Sequence, residues 1–374
     1  MIRSLELTNY RGFEHYKLSD LARVNLLVGK NNSGKTSILE AVYLLGSRDN
    51  PDALFEIAKQ RGEMIEVSEN DYGSRKTIID YSGFFYGRDI REGTKLSIRS
   101  ITDVGNNALE AEIAVAEPRE GGRGGAYADG SPLTLSLQFK GPDDARATQS
   151  TKRSIPLEVE ADTTLYNDIS NFLAARRVPR VDAPVAFITQ ESLSDLTMRR
   201  LWDAIVLEGR EREIVDAMRI IEPRLSSIAF LSGQRPHHSS RSSAGILLGF
   251  EKEQRRYPLG GHGEGMRRLL ALALSLATAR NGILLIDEVD TGLHYSVLGD
   301  VWLLIVKAAK DFNMQVFLTT HSLDCVRALG WLCEAYPELT PEVSLQKIER
   351  ALDEAVAFSA DQIQIAVEQG IEVR

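Results

Sequence analysis

The chain has 374 residues, of which 43% are hydrophobic and 26% are charged, and its formal net charge is −9. This composition is typical of a water-soluble globular protein, and the length suits one domain with insertions or two domains. The acidic balance argues against a chain-wide basic surface for nucleic acid, although a local basic groove remains compatible with it.

The cysteines and the apolar runs indicate the cellular compartment in which we expect the protein. Cys325 and Cys333 form no CxxC motif, which favours a reducing compartment and argues against disulfides or a cysteine-based zinc site. The first residues lack a signal-peptide core, and the longest apolar run, near residues 269–279, is too short to span a bilayer. We therefore expect a cytoplasmic protein.

The first predicted strand and helix enclose a glycine-rich turn. "RVNLLVG" is typical of a buried strand, and "TSILEAVYLLG" repeats its apolar residues with the period of a helix. Between them, "GKNNSGKT" (residues 29–36) fits G-x-x-x-x-G-K-[ST], whose backbone N–H groups bind phosphate. Lys35 adds a charge at the β- and γ-phosphates, and the Thr36 hydroxyl is placed to bind Mg²⁺. The predicted nucleotide-binding residues of this turn are Gly29, Asn31, Asn32, Ser33, Gly34, Lys35, Thr36 and Ser37.

The middle of the chain has a different pattern. Residues 77–159 contain short alternating segments such as "TKLSIRSI" and "LTLSLQF", which predict an antiparallel β insertion. Two turn-rich stretches, residues 117–131 and 140–152, are expected to form flexible loops within it. Residues 193–221 are expected to form two helices, followed by strands up to Tyr257.

Three further apolar segments have the character of parallel strands and end in polar residues. "PVAFITQ" ends in Gln190, "GILLIDE" in Asp287 and Glu288, and "VFLTTHS" carries His321. Ligands of open α/β sheets bind at the carboxyl ends of the strands. We expect Asp287 to hold Mg²⁺ through water and Glu288 to polarise the attacking water. Gln190 is expected to bridge Mg²⁺ and that water, and His321 to reach the γ-phosphate. The alternatives are an acidic surface turn, a polar loop residue and a structural histidine.

A second glycine-rich turn lies in "PLGGHGEGMRRLLALALSLATA", where four glycines precede a long apolar helix. These glycines, at positions 260, 261, 263 and 265, predict a second anion-binding helix N-terminus. One nucleotide does not need two such sites in one subunit, whereas two subunits facing head to tail would use both.

The order of these motifs resembles that of the ABC-type ATPase superfamily. The segments "LTNYRGF", "GKNNSGKTS" and "DEVDTGLH" look most like the RecF, SMC-like and OLD ATPases. The resemblance implies an α/β fold, an ABC ATPase head with a mainly parallel sheet, an antiparallel β-rich insertion and a helical subdomain. The implied head is a single one over residues 1–374. Within it, the implied bounds are residues 1–46 and 245–345 for the two halves of the nucleotide-binding core, 47–190 for the β-rich lobe, 191–244 for the helical and signature subdomain, and 346–374 for a C-terminal segment.

The resemblance also assigns roles within the site. It implies that ATP and Mg²⁺ are the cofactors, that Glu288, His321 and Gln190 are catalytic, and that Thr36, Asp287 and Gln190 bind the metal. The glycine turn would be the signature motif, with Gly263 and Gly265 contacting the γ-phosphate of a partner subunit in a homodimer or higher homo-oligomer. Residues 290–294 would form an interface turn, and Arg11 would lie near the phosphates or the base.

Three features of the sequence differ from the patterns of particular families and argue against membership of those families. The matching region reads "GHGEGMRR" and lacks the serine of the transporter-type signature. The segment between Gln190 and the glycine turn is too short for the long coiled coils of SMC proteins. The chain contains no D-x-D motif, so a Toprim nuclease like that of OLD proteins is not expected within it.

Three roles follow from these resemblances. The leading hypothesis is the ATPase component of a prokaryotic anti-phage defence system that controls a separate Toprim-like nuclease or toxin effector. The second is a RecF-like DNA-binding ATPase of DNA repair, and the third and least favoured is a transporter ATPase. No membrane contact is expected in the first two cases, and nucleic acid remains a candidate partner.

Several basic residues have less specific interpretations. His237 and His238 are expected in a solvated loop rather than a metal or phosphate site. Arg176, Arg177 and Arg180 are expected in a charged surface turn, with a nucleic-acid path as the alternative. Arg267 and Arg268 lie in the first turns of the signature helix and are candidates for the dimer interface or for transmitting the nucleotide state.

Overall fold

The computed structural model describes residues 1–68, 75–88, 91–115, 133–141, 152–156, 185–231 and 245–368. The chain divides into two compact units, each assembled from separate segments. The first unit comprises Met1–Ser19, Glu40–Asp182 and Glu349–Ala355, and the second comprises Asp20–Leu39, Ala183–Ile348 and Val356–Arg374. None of the helices in these described ranges is long and apolar enough to cross a membrane.

Strands and helices of the described residues follow in chain order. The strands are β1 (Ile2–Tyr10), β2 (Phe13–Leu18), β3 (Val24–Val28), β4 (Met64–Ser68), β5 (Arg75–Ile79), β6 (Lys95–Thr102), β7 (Gly105–Val115), β8 (Leu133–Lys140), β9 (Lys152–Pro156), β10 (Val185–Ile188), β11 (Leu225–Phe230), β12 (Ile246–Phe250), β13 (Arg256–Pro258), β14 (Ile283–Ile286), β15 (Gln315–Thr319), β16 (Val343–Lys347) and β17 (Val356–Phe358). The helices are α1 (Lys35–Ser47), α2 (Asp52–Arg61), α3 (Asp195–Leu207), α4 (Glu211–Met218), α5 (Glu264–Thr278), α6 (Leu298–Asp311), α7 (Leu323–Ala335) and α8 (Ala360–Glu368).

The second unit is built on a six-stranded sheet with the order β10-β14-β15-β3-β16-β17. Its first five strands run parallel, and β17 is an antiparallel edge strand. Every residue of β3 and β15 is buried, as expected for central strands that are covered on both faces. Because these strands are parallel, their carboxyl ends meet at one edge, and the polar residues that follow them are brought together there.

Helix α5 is the most deeply buried helix of the second unit. Eleven of its residues, from Met266 to Ala277, are buried, so its apolar run covers more than one face. Such a helix belongs in the interior of a large core rather than on its surface. Its position in the core rigidly orients its first turn, which carries the glycine-rich segment. Strands β11, β12 and β13 form a separate three-stranded antiparallel sheet in this unit.

The first unit contains a six-stranded antiparallel sheet with the order β2-β1-β6-β7-β8-β9. The alternation of buried and exposed residues along β6 is that of a sheet with one covered face. In the β1–β6 pair, Leu7 lies opposite Ile98, and both side chains are buried. A two-stranded pair, β4 and β5, completes the strands described in this unit.

The predicted α/β fold class and the main predicted elements are confirmed. The strand at residues 23–29, the helix at 36–46 and the two helices within 193–221 correspond to β3, α1, α3 and α4. The antiparallel insertion corresponds to β6–β9, while most of the two turn-rich stretches lies outside the described residues. Residues 176, 177, 180, 237 and 238, which carry the arginines and histidines discussed above, also lie outside them.

The structure divides the chain differently from the expected bounds. Strands β1 and β2 pair with the antiparallel sheet of the first unit, although residues 1–46 were expected in the nucleotide-binding core. Strand β10 pairs with β14 in the parallel sheet, although it was assigned to the β-rich lobe. Strand β17 and helix α8, which lie in the range assigned to the C-terminal segment, belong to the second unit. Each difference arises from long-range strand pairing, which local patterns do not record.

Candidate nucleotide-binding site

The phosphate loop connects β3 to α1 through backbone that only glycine adopts comfortably. Gly29 has φ +146°, and a Cβ atom there would lie 2.5 Å from the Ile348 carbonyl oxygen. Gly34 has φ +101°, and Asn32 has φ +60°. These residues allow the chain to leave the sheet beside β16 and turn directly into the helix. The loop predicted from the motif therefore forms, with its backbone N–H groups at the N-terminus of α1.

Lys35 is buried and turns back into the loop. Its Nζ donates to the carbonyl oxygen of Gly29 at 2.7 Å and to that of Lys30 at 3.0 Å, and it lies 3.4 Å from His321 Nδ1. Burial lowers the pKa of Lys35 to about 8, against the opposing effect of the carboxylates of Asp287 and Glu288. A phosphate anion would favour the charged form of this amine, so the site favours an anionic ligand.

Two hydroxyl groups of the loop fit a nucleotide and its metal ion. Ser33 Oγ is buried and has no hydrogen-bond partner among the described residues, so it is available to a ligand. The Thr36 hydroxyl donates to both Asp287 carboxylate oxygens, at 3.2 and 3.1 Å. Thr319 Oγ1 also donates to Asp287, at 2.6 Å, and thereby orients the carboxylate. A hydroxyl beside an oriented carboxylate is a ligand set that suits Mg²⁺.

Glu288 is held by polar contacts from three directions. Gln190 Nε2 donates to Glu288 Oε1, and Thr291 Oγ1 donates to Oε2 at 3.2 Å. His321 Nε2 lies 3.8 Å from Oε1. The backbone N–H of Glu288 donates to Thr319 Oγ1 at 2.8 Å, and its φ is +49°, a conformation that is uncommon for glutamate. The structure thus brings together the strand-end residues predicted from the sequence and aims the carboxylate into the cluster.

The second glycine turn needs its glycines for two different reasons. Gly263 has φ +86° and ψ 168°, a combination that is almost confined to glycine, and a Cβ atom added there would meet nothing within 4 Å. A Cβ atom at Gly265 would lie 2.5 Å from the carbonyl oxygen of Gly292 in the same chain. The close approach at Gly265 is therefore made to the turn that follows Glu288. Of these two positions, Gly263 is the one that is open to a ligand from outside.

The two arginines that follow the glycine turn have different environments. Arg268 is buried and donates to the carbonyl oxygens of Thr189, Asp287 and Glu288. It links α5 to the strand ends that carry Gln190 and the two carboxylates. Arg267 is partly exposed and pairs with Asp195 at 2.6 Å. Of the two candidates, Arg268 is the one that contacts the backbone of the predicted site.

Arg11 lies in the first unit, where carboxylates already pair with its guanidinium group. Its guanidinium pairs with Glu40 and Glu63, donates to the Gly83 carbonyl oxygen at 3.0 Å and stacks over the Phe84 ring. Burial raises the pKa of Glu40, and the charges of Arg11 and Arg61 oppose this rise. The assignment of Arg11 to the nucleotide remains a prediction, as do the other ligand assignments.

Sequence reasoning missed two threonines that support the site. Thr319 contacts Asp287 and the backbone of Glu288, and the Thr320 hydroxyl donates to Asp290 at 2.5 Å. Both precede His321 in the segment "TTHS", so two hydroxyl residues at the end of a buried strand were the available signal. Their function depends on the neighbouring strand β14, which explains why the segment alone did not reveal it.

The parallel sheet, the phosphate loop and the cluster of strand-end residues define an ABC-type ATPase of the RecF/SMC-like group. The chain belongs to the family described as "AAA domain, putative AbiEii toxin, Type IV TA system", whose model matches residues 24–324. The matched range includes the phosphate loop, both carboxylates and His321.

Individual relatives are more distant. The chain is 23% identical to an ATP/GTP phosphatase of Helicobacter pylori over 353 residues, covering 88% of this chain and 87% of the relative. It is 49% identical to the DNA replication and repair protein RecF of Idiomarina loihiensis over 45 residues, or 12% of this chain and 13% of that protein. An SMC head bound to the C-winged helix domain of ScpA is similar with a TM-score of 0.48 and 15% identity, over 96% of this chain and 98% of that chain.

Proposed function

We propose that this chain hydrolyses Mg-ATP and that Glu288 is the general base. The supporting observation is the convergence of Gln190 and His321 on the Glu288 carboxylate, beside the phosphate loop. A carboxylate held in this way is placed to accept a proton from an attacking water molecule. Most of the rate enhancement in phosphoryl transfer comes from positioning and charge stabilisation rather than covalent chemistry.

The other polar residues have supporting roles in this proposal. Lys35 binds the β- and γ-phosphates, and Ser33 donates its free hydroxyl to a phosphate oxygen. His321 lies between Lys35 and Glu288 and contacts the γ-phosphate. Thr36, Asp287 and Gln190 would hold Mg²⁺, which neutralises charge on the phosphate oxygens when it is bound.

The decisive variant is Glu288→Gln. We expect phosphate release to fall by at least about 100-fold, as is usual when a general base is removed. ATP affinity measured by calorimetry should persist, because the phosphate-binding residues are unchanged. Glu191→Gln is the matched control, since Glu191 is exposed and lies beside Gln190 in the sequence. Undiminished hydrolysis in Glu288→Gln would exclude Glu288 as the base.

We further propose that ATP joins two copies of the chain head to tail. The open Gly263 end of the second glycine turn supports this, because its helix N-terminus favours an anion and no described residue fills the space beside it. In the dimer, this turn of one subunit would contact the γ-phosphate bound by the other. Sedimentation of Glu288→Gln with Mg-ATP should show a dimer, whereas Mg-ADP should leave a monomer. A monomer in Mg-ATP that still binds nucleotide would contradict the sandwich.

The proposed biological role is control of a separate effector in prokaryotic anti-phage defence. The family description, which mentions a toxin, supports this role over a housekeeping one. Closed and open dimers would differ at surfaces away from the nucleotide, and the effector, a Toprim-like nuclease or a toxin, would bind one of these states. Tagged Glu288→Gln protein loaded with Mg-ATP should capture a stoichiometric effector chain from its host, and Lys35→Ala protein should not.

A RecF-like role in DNA repair is the second candidate. The 49% identity to RecF over 45 residues favours it, although the match covers only 13% of that protein. This role predicts ATP-dependent DNA binding that weakens steeply as salt increases. DNA captured by the Glu288→Gln protein in the absence of a protein partner would favour repair over defence.

A further inference from the structure

A groove of about 660 Å³ runs along α6 on the surface of the second unit. Residues of α4 and α5 form its other walls. The α6 residues that line it are Asp300, Leu303, Leu304, Lys307, Ala308 and Asp311. These six positions follow the i, i+3, i+4, i+7, i+8 and i+11 spacing of a single helix face. The whole face of α6, rather than one end of it, therefore points into the groove.

The floor of this α6 groove is apolar. Leu303 and Leu304 are half-buried and pack against the hydrophobic core. Ala273 and Ala277 of α5 lie buried in the opposite wall. Leu276 of α5 lines the groove as well, so apolar side chains on two sides form a trough into which the apolar face of another helix can pack.

The rim of the α6 groove is acidic. Among the residues that the structure describes, four carboxylates line it, against one ammonium group, that of Lys307. Two of them, on α4, are already paired within their own segment: Glu213 with Arg210 at 2.6 Å, and Asp216 with Arg219 at 3.0 Å. The other two, Asp300 and Asp311, make no ion pair with any residue in the described ranges. They lie eleven positions apart, which is about 16 Å along the helix axis.

The helix dipole explains why an aspartate is favourable at position 300 but not why one occurs at position 311. Asp300 lies in the first turn of α6, where a negative charge stabilises the helix. Asp311 is the last residue of α6, where a negative charge opposes the helix dipole. Because Asp311 does not stabilise its own helix and has no cationic partner among the described residues, its charge is available to a ligand of opposite sign.

We propose that the α6 groove binds an amphipathic helix of a partner protein. The apolar face of that helix enters the groove, and lysine or arginine side chains near its two ends pair with Asp300 and Asp311. About three turns of helix span the 16 Å between these carboxylates. The inference rests on the proposed function only in that the chain acts with a separate partner, and it requires neither hydrolysis nor the ATP sandwich.

The test uses a fluorescein-labelled peptide that repeats Leu-Lys-Lys-Leu-Leu-Lys-Leu, and the full chain. Fluorescence anisotropy should show saturable binding, and a peptide with glutamate in place of lysine should not bind. Asp311→Lys should weaken binding roughly tenfold, the equivalent of about 1.4 kcal/mol. Leu304→Gln should weaken it to a similar extent, because it places a polar group on the groove floor.

Glu334→Lys provides the matched control for Asp311→Lys. Glu334 is an exposed carboxylate in the last turn of α7, one residue before its end, so the change in net charge is the same and the position near a helix C-terminus is similar. Glu334 does not line the groove. If both variants weaken binding equally, the peptide responds to the acidity of the whole chain and the proposal is overturned. Asp311→Lys should not lower the thermal midpoint, because it replaces an unfavourable negative charge at the end of α6 with a favourable positive one.

Two further results separate this proposal from its alternatives. Lys35→Ala should bind the peptide as the wild type does, so a failure of the nucleotide site and a failure of the α6 groove are distinguishable. Sedimentation of Leu304→Gln in Mg-ATP should match that of the wild-type chain. If Leu304→Gln instead abolishes self-association, the groove binds a second copy of this chain and the partner-helix proposal is wrong.

Discussion

The two glycine-rich turns of the second unit both lead into the N-terminus of a helix, but their surroundings differ. The phosphate loop is enclosed by its own chain, with Gly29 against Ile348 and Lys35 folded back onto loop carbonyls. The second turn is enclosed on one side only, where Gly265 meets Gly292, and Gly263 faces open space. We propose that the first turn is a complete anion site and the second a half-site. A half-site of this kind is what a partner subunit would complete.

Among substitutions that test the comparison of the two turns, the largest expected effect comes from Lys35→Ala, which removes the cation of the phosphate loop. ATP affinity should fall roughly 100-fold, because a hydrogen bond to a charged group contributes about 1.5–3 kcal/mol and each 1.4 kcal/mol is a factor of ten. Titration calorimetry with Mg-ATP measures this loss. Lys30→Ala is the control, since Lys30 is exposed and contacts Lys35 only through its backbone carbonyl oxygen. Retained affinity in Lys35→Ala would contradict the phosphate-loop assignment.

Arg268→Lys tests the connection between the two turns. A lysine cannot reproduce the donors that reach the carbonyl oxygens of Thr189, Asp287 and Glu288, since it lacks the planar fork of arginine. We expect the free energy of unfolding to fall by about 1–3 kcal/mol, the cost of leaving buried polar groups unsatisfied. Phosphate release should fall on the order of tenfold, because a 1.4 kcal/mol loss of transition-state stabilisation has that effect.

Arg267→Lys is the matched control for this variant. Its ion pair with Asp195 is partly exposed, and such pairs contribute about 0–1 kcal/mol. Urea unfolding and phosphate release should therefore match those of the wild type. Equal effects of the two substitutions would mean that Arg268 has no special part in positioning the strand ends.

Gly265→Ala tests the closed side of the half-site. The new methyl group would meet the Gly292 carbonyl oxygen at 2.5 Å, so the backbone must shift. We expect a loss of about 1–3 kcal/mol in the free energy of unfolding, as is usual for overpacking. Chemical denaturation, carried out both with and without nucleotide, measures this loss of stability. A variant as stable as the wild type would show that the two turns separate easily.

Gly263→Ala tests the open side. No atom obstructs the methyl group, but φ +86° with ψ 168° strains alanine by roughly 1–3 kcal/mol. If this backbone conformation presents N–H groups to a partner's nucleotide, ATP-dependent dimerisation in sedimentation should weaken while ATP binding by the monomer persists. Unchanged dimerisation would indicate that the partner contacts another part of the turn.

The smallest expected effect is that of Gly260→Ala, in the same turn. Gly260 has a negative φ and open space around it, so an added methyl group meets nothing. We expect a change within about 0.5 kcal/mol in the free energy of unfolding, as for most surface substitutions. Sedimentation and phosphate release should also be unchanged. A large effect would mean that the partner surface extends further along the turn than Gly263.

The amino-acid sequence by itself determined the phosphate loop, the strand ends at Gln190, Asp287, Glu288 and His321, and the α/β fold class. Each of these depends on a local pattern, a strand followed by a polar residue or by a glycine turn and a helix. The geometry of parallel strands then requires their carboxyl ends to meet at one edge.

Tertiary structure alone decided the contacts between distant segments. The approach of Gly265 to Gly292 and the three carbonyl partners of Arg268 join residues that no local pattern connects. Strand β1 was expected in the nucleotide core, yet it pairs with β6. Its buried residues are separated by exposed or half-buried ones, which fits a sheet with one covered face, whereas the continuous burial of β3 fits a parallel core. The pattern of buried and exposed residues indicates which kind of sheet a strand suits. Which strand it pairs with depends on packing across the whole unit.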